Sequence, residues 1–523
     1  MSVTSLPKGI AQLLAARGLT APEDFCICIT GVIGSDGTAT TAAMYSDVQD
    51  LTITEIKTLF GTKGELTNRI LRAREICKGY FPIFVIAITQ PSGDPATADL
   101  AFTGTTAGED ATVTLKLIDA EWYTTTFDIA SGDDPNDAAV AAKAAIDAMI
   151  VAIPHFPAAT SIASDTVTLT ANDEGTIPNK WTIEITGLPS GIACTGSPRI
   201  QFASGATDPT LTSYFDNAVA QRFHAISWPW TDETVVDDFL SARNTIDNAF
   251  LHGVAFIGFD GTQATITSKV NGTTPLNSSN LIFIGNRQIT TTSVTITPPD
   301  WRAVELMSII AMRQTDDAPI AQYVTVDSER DIIGNAGLAS LALYNTPLAK
   351  THIVDPALLF TGDEQDDLKD DGYTIIGINE SKTKMIAGEV VTTYKFNSRD
   401  EEDVSFKYYN YVLTGYIALE IIFNTLKNEY KQYRLTSGDL VSGRAITNAD
   451  QIKGNICGKY QLLSGPDYTL TVSGADAEKY FYQNLSVTAD VANGAVTVYG
   501  ELPIVTQYRS FSMTFQMTFT VDS

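Results

Sequence analysis

Two almost uninterrupted apolar runs, "FCICITGVI" at 25–33 and "FPIFVIAIT" at 81–89, constrain most strongly what this chain can fold into. Runs of that length without polar alternation are strands covered on both faces, and such strands belong to parallel sheets flanked by helices. The segment between them, "TITEIKTLFGTKGELTNRILRAREICKG", is helical at both ends with a break at Gly61 to Gly64. Strand, helix and strand in that order predict a parallel α/β unit. The pattern returns further on. "RFHAISWPW", "GVAFIGFDG" and "LIFIGNR" read as strands, while "DETVVDDFLSARNTIDNAF" and "DWRAVELMSIIAMRQ" read as helices. Alternating strands and helices on both sides of a different stretch argue for one sheet with an insertion.

That different stretch, from about Gln90 to Phe202, is rich in Thr, Ala, Gly, Asp and Pro. "ATVTLKLIDAEWYTTTFDIA" reads as a hairpin turning at Asp119-Ala120, and "DTVTLTAND" and "NKWTIEITG" as further strands. The flanks "TQPSGDPAT" and "ASGATDPTLTS" have linker composition. Between the hairpin and the later strands, "SGDDPNDAAVAAKAAIDAMI" opens a helix: Asp133 or Asp134 caps it, Pro135 suits its first position, and Asp137 favours its positive end. Ala139, Ala142, Ile146, Met149, Ile150 and Ile153 form its apolar stripe, with Lys143 and Asp147 paired off it. A phosphate cradle needs bare amides, and three aspartates at this turn occupy or repel that charge.

Beyond the second α/β part, "DEQDDLKDDG" reads as a charged loop, "YNYVLTGYIALEIIFNTLKNEYKQYR" as a long helix, and Asn493-Gly494 as a hairpin turn. At the end of the chain, Phe511, Met513, Phe515, Met517, Phe519 and Val521 alternate with Ser and Thr and one Gln, the signature of a half-buried strand. Such a strand needs a sheet to join, either its own or a neighbouring subunit's by strand addition. The expected division is a mixed α/β and α+β multidomain chain. It runs as an N-terminal arm at 1–24, the first part of the α/β core at 25–90, an inserted β-rich α+β module at 91–204, the second part of the core at 205–400, an α+β C-terminal domain at 401–502, and an arm strand at 503–523.

At 523 residues, 44% of them apolar and 18% charged, the chain can bury several cores. Its formal charge of −27 is spread along the sequence, which argues against duplex DNA or an anionic membrane as a partner. The opening "MSVTSLPKGIAQLLAARGLT" lacks the apolar core of a signal peptide, so folding in a cytoplasm is expected. Cys26, Cys28, Cys77, Cys194 and Cys457 are scattered; only Cys26 and Cys28 are close, and nothing near them in sequence completes a zinc set. His155, His224, His252 and His352 lie far apart. "LHGVAF" is followed by no serine-nucleophile segment, and "ITGVIGSDG" spaces its glycines wrongly for a dinucleotide fingerprint. No set of nucleophile, base and oxyanion donors emerges. The expectation is therefore no catalytic residues, no cofactor and no metal: not an enzyme.

The order of segments nevertheless resembles a known family. "IKTLFGTKGEL", "TTTFDIASGDDPNDAAVAAKAAIDA", "DTVTLTANDEGTIPNKWTIEI", "SGATDPTLT" leading into "FHAISWPWTD", and "NLSVTADVANGAVTVYGELPIVTQYRSFSMTFQMTF" together resemble the contractile-tail sheath proteins of Mu-like bacteriophages, from about residue 25 to the end. The resemblance implies a subtilisin-like α/β core without catalytic residues, an outward-facing module, and arms that add strands to neighbouring C-terminal domains. It implies a helical homo-oligomer of stacked rings around a tail tube protein, with baseplate and tail terminator proteins as further partners. It also implies a place in the virion, assembly in the host cytoplasm, no direct nucleic acid contact and no membrane insertion. Under it, Phe511, Met513, Phe515, Met517, Phe519 and Val521 form the intersubunit strand. Two alternatives share the residues: a sheath from a related contractile injection machine, and a surface adhesin built on the Thr-rich module.

Overall fold

The computed structural model describes residues 25–39, 44–77, 79, 81–209, 211, 223–244, 253–289, 292–315, 346–440, 445–464, 471–492 and 494–504. Within them the two opening apolar runs pair side by side and parallel, Ile27–Val32 against Ile83–Ile88. On its other edge Ile27–Val32 pairs, again parallel, with Ala225–Trp228, so hydrogen bonds run directly from the segment before the module to the segment after it. Val254–Gly258, Leu281–Gly285 and Tyr373–Ile378 extend the parallel array. Short antiparallel strands close both edges and complete a nine-stranded sheet: Met44–Tyr45 on one side, Met385–Ala387 and Thr346–Leu348 on the other.

Numbered along the chain, the parallel strands lie in the order 2-1-3-4-5-6. This is a doubly wound arrangement, with its switch point between Ile27–Val32 and Ala225–Trp228. Alternation within each strand sends side chains to two cores. Ile27, Ile29, Ile83, Val85, Phe256 and Ile284 join one with Leu66, Ile70, Val304 and Met307 from the helices Glu65–Cys77 and Pro299–Thr315. Cys28, Ile86, Ile226, Trp228, Ile257 and Phe283 join the other, under Val236, Leu240, Ile266 and Leu368. Helices on both faces explain why these strands carry no polar alternation.

"DEQDDLKDDG", expected as a loop, lies largely in the helix Gly362–Asp370. Thr361 and Glu364 form a reciprocal capping box, and Leu368 is the buried anchor on an otherwise solvated surface. The flanks of the module also differ from linkers. Thr97 and Ala203 bridge antiparallel, Ala206 N–H donates to the Asp94 carbonyl at 3.0 Å, and Asp208 accepts from Thr176 N–H at 2.9 Å. Polar, turn-forming residues here stitch the entering and leaving chains together.

The module consists of two four-stranded sheets and one helix. Pro95–Gly104, Ala158–Ala163, Thr166–Glu174 and Ile192–Cys194 form one sheet; Ala111–Leu117, Thr124–Ile129, Thr182–Thr186 and Arg199–Gln201 form the other. The helix Pro135–Ala152 buries Ala138, Ala139, Ala142, Ile146 and Met149. Ile150 and Ile153 are half-buried, and Lys143 pairs with Asp147. The module core also receives Trp301, from the first turn of the core helix Pro299–Thr315. Further along the chain, the helix Tyr409–Tyr430 packs Tyr409, Val412, Ile417 and Ile421 into the core of the parallel sheet. Beyond it lie the helices Ala449–Leu463 and Ala475–Asn484, then a hairpin, Ser486–Asp490 with Ala495–Tyr499.

Candidate functional site

Doubly wound sheets bind ligands outside the carboxyl ends of their strands, at the switch point. In this chain that crevice is filled by its own side chains. Arg69, from the helix Glu65–Cys77, lies across it and donates to the Thr30 carbonyl and, at 3.0 Å, to Ser227 Oγ. A side chain at Gly31 would collide with the Arg69 guanidinium, which is why glycine stands there. Glu65 pairs with Arg69 one helical turn away. From the module, Asp173 Oδ2 accepts the Glu65 N–H at 2.6 Å. Lys180, also from the module, reaches the carbonyls of Pro229 and Gly258 at 2.6 and 3.1 Å and Asp300 Oδ1 at 2.9 Å. The glycines of "ITGVIGSDG" and "FGTKGE" serve loop packing: a Cβ on Gly34 would meet the Gly64 and Gly61 Cα atoms at 3.1 and 3.3 Å.

A second cluster lies further along the same joint. Arg72 is fully buried, with Nη1 2.8 Å from Asp119 of the module hairpin and Nη2 3.4 Å from Glu305 of the core helix, and it donates to the Lys350 carbonyl. The Trp122 and Trp301 rings flank its guanidinium at 5.6 and 5.9 Å. Glu305 accepts from Lys350 N–H at 2.7 Å and Thr351 Oγ1 at 3.0 Å. Lys350 Nζ bridges Glu75 and Glu121, both at 2.6 Å. Burial tends to lower the Arg72 pKa, but Asp119 and Glu305 more than compensate and leave it raised. Burial raises Glu305 against the pull of Arg72. A third group, Asp260 with Arg302 at 2.5 Å and Ser293 at 2.6 Å, closes the sheet end nearer the edge. The first two groups, with Asp173, Lys180, Asp119 and Glu121 from the module, join module to core; the third lies within the core.

The other sequence candidates fall elsewhere. Asp134 caps its helix, with Oδ1 accepting from Asn136 and Asp137 N–H at 2.8 and 3.0 Å; Asp133 accepts from Ala130 N–H at 2.8 Å. The amides of Ala130, Asp134, Asn136 and Asp137 are thus bonded to the turn's own carboxylates, and those of Ser131 and Gly132 to Asp110 and the Ala107 carbonyl. Asp134→Ala is expected to cost about 1 kcal/mol, read as faster hydrogen exchange confined to the first turns of Pro135–Ala152. Cys26 meets a histidine distant in sequence: His224 Nδ1 accepts the Cys26 N–H at 3.0 Å and lies 3.6 Å from its Sγ. The same ring stacks on Phe25 at 4.4 Å, at the amino end of the sheet. Burial pushes the Cys28 thiol far up, a packed and unreactive state. His155 and His352, lowered to about 4 chiefly by burial, lie at the joint. Among the described residues no group of three or more metal-ligating side chains assembles, and no helix is long and apolar enough to cross a membrane. His252 and all six residues from Phe511 to Val521 lie outside the described residues.

Sequence reasoning passed over Glu65, Arg69 and Arg72. Their signal was their spacing: charges at i, i+4 and i+7 of a helix that must cover a sheet face.

No family model matches the chain. The Mu-like prophage FluMu tail sheath protein of Haemophilus influenzae is 21% identical over 480 residues, spanning 88% of this chain and 87% of that protein. The chain is thus similar in sequence to a phage tail sheath protein over most of its length. Among solved structures it is similar to a sheath tail protein from Listeria innocua, at 11% identity and a TM-score of 0.44, covering 94% of this chain and 95% of that one. It is also similar to the contracted helical sheath of the anti-feeding prophage, at 11% identity and a TM-score of 0.43, covering 95% of each.

Proposed function

We propose that this chain is the structural subunit of a contractile tail sheath, which polymerises around an inner tube and shortens to drive that tube through a host envelope. The observation that carries this reading is similarity to a tail sheath protein along nearly the whole of both chains. In this role the doubly wound core is a subtilisin-like frame without enzymatic activity, and the charges at its carboxyl end fasten the module. The subunit belongs to the virion and works with tube, baseplate and terminator proteins.

Stacked subunits must slide during shortening without separating. Backbone ladders formed by arms tether them while rigid bodies rotate. The hairpin Ser486–Asp490 with Ala495–Tyr499 suits such a tether, since it leaves Val496, Val498 and Tyr499 38%, 43% and 71% exposed. A lone two-stranded sheet with apolar residues in water gains from further strands.

The test is negative-stain electron microscopy of the full chain beside a variant ending at Ile504, which keeps the bridge to Thr471. Tubes or stacked rings from the full chain, and only monomers from the shortened one, are expected. Two monodisperse, unassembled samples would overturn the sheath reading and favour the adhesin.

A further inference from the structure

The joint at the switch point carries an imbalance of charge. Among the described residues, Glu65, Asp173 and Asp300 are buried there with two cations, Arg69 and Lys180. Lys180 is committed to Asp300 and two carbonyls, and Arg69 to Glu65, Thr30 and Ser227. Asp173 is left with a single backbone donor, the Glu65 N–H, while its Oδ1 is buried without a hydrogen-bond partner. Glu65 Oε2 is also buried without one. A surplus anion in such a place is strongly disfavoured, and a bound proton relieves it.

We propose that the joint between the inserted module and the parallel sheet holds a proton on Asp173, and that release of this proton loosens the module from the core. The groups facing Asp173 are Glu65 and Arg69 from the helix Glu65–Cys77 and the exposed Asp36 from the loop after the first strand. Burial pushes the carboxyl up to about 7; Glu65 and Asp36 add to the rise, while the Glu65 amide and Arg69 oppose it. In an opened joint the group returns toward 3.8. Between those values the closed joint binds a proton that the open joint does not, so closure is favoured at the acidic end. That advantage is lost as pH rises to about 7 and does not change further above it.

Asp173→Asn tests this, because its amide oxygen keeps the Glu65 N–H bond in a permanently neutral group. Hydrogen exchange of the full chain is followed by mass spectrometry in peptides covering Glu65–Cys77 and Thr166–Glu174, corrected for intrinsic rates. Wild-type protection is expected to fall relative to the variant by up to about tenfold per pH unit from pH 5 to 7, then level off. Asp300, itself pushed up to about 6 by burial, titrates in both proteins and cancels in the ratio. A ratio that stays constant from pH 5 to 8 overturns the proposal, as does a variant that fails to fold, since the neutral group would then not be the resident form. Glu65→Gln is expected to move the wild-type transition to lower pH; an unmoved transition would place the proton elsewhere and also overturn it.

Discussion

Arg72→Met is expected to destabilise the folded chain by about 3–5 kcal/mol, the cost of removing one partner from a buried ion cluster. Methionine fills the space of the aliphatic stem but leaves Asp119 and Glu305 fully buried without their shared cation. Glu305 retains Lys350 N–H and Thr351 as donors, and Asp119 retains the Glu121 N–H at 3.2 Å, so neither carboxylate is wholly stranded. What disappears is the group that touches both, together with its contact to Trp122 and Trp301. Those rings lie 5.8 Å apart at the joint, so tryptophan fluorescence during urea unfolding reports the local loss. Combining Arg72→Met with Asp119→Asn and Glu305→Gln removes the buried charge and should recover most of the stability, because neutral replacements of buried ion clusters are often tolerated. A single mutant that unfolds at the wild-type urea concentration would show that the cluster contributes nothing.

The same cluster shows where sequence reasoning succeeds and where it stops. The parallel strands were legible because burial on both faces leaves an unbroken apolar run, as in Ile27–Val32 and Ile83–Ile88. The module helix was legible because Asp134, Pro135 and Asp137 are local start signals. The module strand Pro95–Gly104 was hidden: its buried set of Ala96, Ala98, Leu100 and Phe102 is half alanine, so the alternation carries little hydrophobic contrast. The helix Gly362–Asp370 was masked by its acids, with a single buried leucine to mark its inner face. The joint was legible only in part. Arg72 advertises itself by helical spacing, but its partners Asp119 and Glu305 lie 47 and 233 residues away, and no local rule brings them together. The pairing of Cys26 with His224, 198 residues apart, was out of reach for the same reason.

These joints bear on the proposed mechanism. With Trp301 in the module core, Lys180 on the ends of two core strands and Arg72 between both halves, the module and the sheet form one buried unit. A subunit of that kind transmits force as a rigid body, which leaves movement to the surfaces between copies and to their tethers. In the proposed sheath, cohesion between subunits would rest on the arms, where the second large effect is expected.

Replacing Phe511, Phe515 and Phe519 together by serine should abolish tube formation while leaving a folded monomer. In an extended strand these residues fall on one face, at spacings of four, so all three would enter the same apolar surface of a recipient sheet. Each ring contributes on the order of 1.5–3 kcal/mol when fully buried, so the triple change removes roughly 5–9 kcal/mol per contact, enough to undo an association of micromolar strength. Serine keeps the backbone able to form its ladder, so the experiment separates side-chain anchoring from hydrogen bonding. The matching control changes Ser512, Thr514 and Thr518, on the opposite face, to alanine and should leave assembly intact. Electron microscopy scores tubes, and circular dichroism with size-exclusion chromatography scores the monomer. Tubes of normal length from the triple serine variant would remove the phenylalanine face from the tether; an unfolded monomer would make that face part of the subunit's own core.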